Sequence, residues 1–188
     1  DQAESVREIG LGFIFALIVM YVLMAIPLKS YLQPLIIMSV IPFGIVGAVL
    51  GHVLMRTELS IMSMCGFVAL AGVVVNDSLL MVDYVNRERK SSSNILEAAV
   101  SAGAVRFRAI LLTSLTTFVG LTPMLMETDM QARFIIPMAI SLGFGILFAT
   151  TITLLLVPSA YVILEDLRIG GRWLLGKRQD PMMQSVED

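Results

Sequence analysis

Apolar residues run along this chain in five long blocks, broken by short polar connections. The blocks cover about 9–28, 34–55, 59–86, 105–126 and 131–164. Each reaches the roughly 20 residues that a helix needs to cross the hydrocarbon of a bilayer. Pro34 suits a helix first turn, and Pro42 predicts a kink in the second block. The fifth block exceeds the bilayer thickness and should tilt, kink or protrude. The connections at 29–33 and 56–58 are tight turns. The connection at 87–108 is longer and holds a short amphipathic helix, with Asn94 as its cap and Glu97 three residues on. The fold class is therefore all-α: a polytopic membrane bundle of five transmembrane helices plus a short cytoplasmic amphipathic helix. Residues 1–166 form the membrane domain, and 167–188 form a polar cytoplasmic tail.

Composition agrees with the pattern. Of the 188 residues, 57% are hydrophobic and 15% charged, against roughly 25% charged in soluble domains. A core of this size could not hide so much apolar surface in water. The net charge of −2, with no isolated basic patch, argues against a nucleic-acid partner; lipid is the expected surrounding. The chain opens at Asp1 rather than Met, so a fragment of something larger is expected. Lys29, Arg87, Arg89, Lys90, Arg106, Arg108, Arg168, Arg172, Lys177 and Arg178 fall on one side of the membrane, and Arg7, Arg56 and Arg133 on the other. The positive-inside rule then places the C-terminus in the cytoplasm.

Polar groups within an apolar block are costly and are candidates for function. The third block carries Asn76 and Asp77, with Asp83 nearer its cytoplasmic end. Ala69, Gly72, Asn76 and Asp83 share a helical face, and Asp77 lies about 100° further round. Asp77 is the carboxylate deepest in an apolar run. It reads either as a protonation switch or as a structural group bonded to a neighbouring hydroxyl. In the fourth block Thr113, Thr116, Thr117 and Gly120 fall on one face, with Ser114 beside them. That stripe can bond a neighbouring helix or line a wet path. Gly44, Gly47 and Gly51 on the second block, with Gly72, Gly143 and Gly145, read as close helix packing. His52, near the outer end of the second block, reads as interfacial. The 13 methionines read as flexible apolar filler rather than a soft-metal path. No metal-binding, cofactor-binding or nucleophile motif is present, so neither an enzyme nor a cofactor is expected.

The stretch from Ala71 to Tyr84 (AGVVVNDSLLMVDY) resembles the tenth transmembrane helix of resistance–nodulation–division (RND) permeases, the inner-membrane pumps of tripartite drug efflux systems. Segments 27–35, 41–44 and 106–114 resemble the eighth-to-ninth turn, the ninth helix and the start of the eleventh helix of the same family. The resemblance covers roughly residues 8–166 and implies helices eight to twelve of a bacterial inner-membrane permease. It implies export of drugs, detergents, dyes or other lipophilic compounds by proton antiport, with H+ as coupling ion and no cofactor. It also implies three partners: the N-terminal half of the same permease, a homotrimer, and a periplasmic adaptor with an outer-membrane channel. Asn76 matches a position where the drug pumps usually carry Lys. Thr113 and Arg106 match the relay threonine and arginine. A Lys can move between carboxylates, whereas neutral Asn76 can only hydrogen-bond. The expectation is that Asp77 contributes a carboxylate that Asn76 and Thr113 orient. Other readings are a protein-export accessory of the SecD/SecF type, and a non-transporting structural or sensor module with the same helical core.

Overall fold

The computed structural model describes residues 2–88 and 95–174, with side chains at 3–88 and 103–164. It contains α1 (Gln2–Leu28), α2 (Gln33–Met38), α3 (Ile41–Met55), α4 (Ile61–Glu88), α5 (Ile95–Leu125) and α6 (Ile136–Leu174), with a 3-10 turn at Ala132–Phe134. Five stretches are long and apolar enough to cross a membrane, α2 and α3 together forming the second. All five correspond to the apolar blocks of the sequence. The candidate cap Asn94, the side chain of Glu97 and the tail at 175–188 lie outside the described residues.

The break between α2 and α3 follows from Pro42. A proline has no N–H for the carbonyl four residues back and crowds it. The helix accordingly stops at Met38 and restarts at Ile41. Ser39 caps the gap, its Oγ donating to Ile36 O at 2.6 Å. The amphipathic segment is helical from Ile95 and runs without interruption into the fourth span. At 39 residues, α6 is about 58 Å long at 1.5 Å per residue, so it outruns a hydrocarbon core of about 30 Å.

α6 is the hub, with α3, α4 and α5 packed around it. Glycines set the two closest approaches. A Cβ at Gly51 would lie 2.5 Å from Phe144 Cβ, and one at Gly47 would overlap Phe148 Cβ. The pair Gly47 and Gly51 therefore lets α3 and α6 touch backbone to side-chain root, as the G-x-x-x-G spacing suggested. On the other side, a Cβ at Gly66 of α4 would lie 2.6 Å from Ser141 Cβ. Gly44 meets Leu70, Gly145 meets Leu70 and Gly143 meets Phe118. Gly72 breaks the pattern: nothing lies within 4 Å of its would-be Cβ, so it packs against no described helix of this chain.

α1 is attached differently. It touches α2 and α4 through Phe13, Leu17, Met20, Met24 and Leu28, a stripe at helical spacing. The rest of its surface is bare, including Phe15 and Ile26. In water that would be untenable; in lipid it is neutral, because acyl chains are as apolar as the side chains they meet.

Candidate functional site

The polar residues of α4 and α5 converge on one seam. α5 runs antiparallel to α4, and its Arg106 guanidinium lies over the Tyr84 ring, 5.1 Å from the centroid. Asp77 is seven residues from Tyr84 and Thr113 seven from Arg106. Seven helical residues rise about 10.5 Å, in the same direction on both helices. Asp77 and Thr113 therefore stand at one depth, about two turns from the Arg106–Tyr84 contact.

Their side chains have different surroundings. Asp77 is half-buried, while Asn76, Gly72 and Ala69 form an exposed stripe. Among the described residues, Asn76 and Asp77 make no hydrogen bond or ion pair. Thr113 is exposed and donates to Ala109 O at 2.9 Å within its own helix. Thr116 donates to Leu112 O and Thr113 O, each at 2.9 Å. Thr117 donates to Thr113 O at 2.8 Å. The threonine stripe thus satisfies itself and joins no described helix. Ser114 is the member that does, being buried and bonded to Thr150 of α6. Arg106 is half-buried, and its Nε has no hydrogen-bond partner among the described residues. Asp83 pairs with Arg87 at 2.9 Å on the surface, not with Arg106. The structure brings Asp77, Thr113, Arg106 and Tyr84 to one seam, but no hydrogen bond links Asn76, Asp77 and Thr113.

Two polar clusters escaped sequence reasoning. Gln33 of α2 and Asn86 of α4 exchange two amide hydrogen bonds, each 3.0 Å, and Tyr161 of α6 donates to Asn86 Oδ1 at 2.7 Å. Gln33 and Tyr161 are buried, so three helices are tied at one end of the bundle. The available signal was that Gln33 opens one span where Asn86 closes another, on one membrane side. Their contact depends on which helices adjoin, which spacing does not reveal. The second cluster centres on His52, near the end of α3, which is 3% exposed, with Nδ1 2.9 Å from Ala48 O and Nε2 2.9 Å from Ser63 Oγ.

A bundle of five helices long and apolar enough to cross a bilayer fits a multi-pass membrane protein. A profile of the AcrB/AcrD/AcrF family matches residues 1–165, and the chain belongs to that family of RND efflux permeases. It is 28% identical over 171 residues to the multidrug resistance protein MdtC of Proteus mirabilis (strain HI4320), covering 90% of this chain and 16% of that protein. Two crystal forms of a heavy metal efflux pump superpose on it. Form I has a TM-score of 0.78 at 28% identity, covering 87% of this chain and 16% of the pump. Form II has a TM-score of 0.73 at 30% identity, covering 81% and 15%. The chain thus spans about one sixth of the length of these relatives.

Proposed function

We propose that this chain is part of a permease that exports lipophilic compounds or drugs in exchange for protons, with Asp77 as a proton-carrying carboxylate. The reading rests on one observation above all: a half-buried carboxylate in the middle of a span, without an ion partner among the described residues. A fixed charge there would be expensive, whereas a group that gains and loses a proton can change the local energetics and drive a helix movement. Asn76, one residue away on the open face, and Thr113, at the same depth, are the polar neighbours through which that change would be felt. Arg106, held over Tyr84, would answer it two turns away. The family supports transport; the N-terminal half, a homotrimer, an adaptor and an outer-membrane channel belong to the same proposal, as does a place in the inner membrane with the C-terminus in the cytoplasm.

Met24 and Met81 are buried in the apolar core and act as packing, so they lend no support to a metal cargo. The test is Asp77→Asn in the full-length protein. Proton-driven dye efflux from energised vesicles should fall to background at unchanged protein level, and Asp77→Glu should keep part of it. Undiminished efflux in Asp77→Asn would sink the proposal.

A further inference from the structure

Between α5 and α6, with Pro158 in its lining, runs a groove of about 960 Å³. Its walls include Phe107, Leu111, Leu154, Leu155 and Pro158, with Thr150 also in the lining. Both walls belong to span-length apolar helices. Its hydroxyls are already used. Thr150 bonds Ser114, Thr151 donates to Leu147 O at 3.1 Å, and Ser159 donates to Leu155 O at 2.7 Å. The rest of the lining is apolar.

The α4–α5 seam is the contrast within the same molecule. There Gly72 and Gly120 leave open space beside Asn76 and Thr113, the small-and-polar surface that membrane helices use to approach one another. The groove instead presents large, exposed apolar side chains, with Leu155 at 70% exposure and Phe107 at 49%. That lining suits a flexible hydrocarbon chain. A cation stands beside the α5 wall of the groove by helical spacing. Arg108 is exposed and lies on one stripe with Ala104, four residues before it, and Leu111, three after it. Helical side chains lean toward the helix N-terminus, so its guanidinium is carried toward the end of the span, where it can meet a phosphate.

We propose that this groove binds a phospholipid, with one acyl chain between α5 and α6 and the phosphate on Arg108. The test uses the full-length protein in liposomes containing phosphatidylglycerol with a photoreactive diazirine in one acyl chain. After detergent washing, cross-links should map to Phe107, Leu111 or Leu155 several-fold above those on Phe15 and Ile18 of α1. Ala104→Trp and, from the opposite wall, Ser159→Trp should each remove the excess, and Arg108→Gln should lower it several-fold. The α1 labelling should stay constant, which reports a folded bundle. Equal labelling of the two faces would mean ordinary boundary lipid and overturn the proposal. So would an unlabelled groove, covered by another part of the full-length protein, or labelling indifferent to Arg108→Gln.

Discussion

His52 lies within a membrane span, yet neither ring nitrogen goes unsatisfied. Ala48 O can only accept, so Nδ1 carries the proton and Nε2 is left to accept from the Ser63 hydroxyl. Ser63 Oγ in turn accepts from the Ser60 backbone N–H at 3.1 Å. These directions hold for a neutral ring, and the chain of bonds fixes the start of α4 against the end of α3. Ser63→Ala should leave Nε2 buried without a partner, costing about 1–3 kcal/mol. Thermal unfolding in detergent would measure this, and a melting temperature unchanged from the parent would show that the bond carries no weight. Arg56, just beyond α3, sits at φ 52°, ψ 40°, with Thr57 N–H bonded to His52 O and Arg56 N–H to Val53 O. That is the Schellman arrangement, which favours glycine. Arg56→Gly should stabilise the protein by up to about 1 kcal/mol, since the left-handed conformation costs an L-residue about that much. A lowered melting temperature would contradict the argument.

At the scale of elements, α6 holds the bundle because its neighbours come unusually close. The obstruction at Gly51 is not the Phe144 ring alone but its Cβ, an atom every residue except glycine possesses. Gly51→Ala should therefore force α3 off α6 and destabilise by about 1–3 kcal/mol, the usual cost of overpacking. Phe144→Ala should fail to rescue it, because the colliding atom remains. Full recovery of stability in that double variant would refute the packing account. The reciprocal amides of Gln33 and Asn86, with the Tyr161 hydroxyl, clamp the other end of the bundle. Together they leave α5, joined to α6 by the Ser114–Thr150 bond, and α1, joined along one stripe, as the outer members of the bundle.

For the whole molecule, the exposed faces sort by chemistry. α1 shows large apolar residues and fits lipid. The α4–α5 seam shows Gly72, Asn76, Thr113 and Gly120 and fits another helix. Gly72 is exposed and nothing lies within 4 Å of its would-be Cβ, so a Trp there can project away from this bundle. In the full-length protein it should leave the amount in the membrane unchanged while cutting efflux severely, because it would block whatever approaches Asn76 and Asp77. Normal efflux by Gly72→Trp would show that nothing packs there during transport.

Five spans and the kink at Pro42 were determined by the sequence alone, whereas the starts of α1 at Gln2, of α5 at Ile95 and of α6 at Ile136 were not. Bilayer thickness sets a minimum length for an apolar run, and proline removes a specific hydrogen bond, both local effects legible residue by residue. The polar candidates were legible for the same reason: Asp77 stands out against its apolar neighbours, and the stretch around it carries the family resemblance. Which groups meet was decided by tertiary structure. The threonine stripe looked like helix glue, yet Thr113, Thr116 and Thr117 turn back on their own helix, and Ser114 makes the contact. Gly72 looked like Gly47, yet one faces open space and the other a phenylalanine. Spacing tells which side chains share a face of one helix; it does not tell what stands opposite, because that depends on how helices distant in sequence pack around α6.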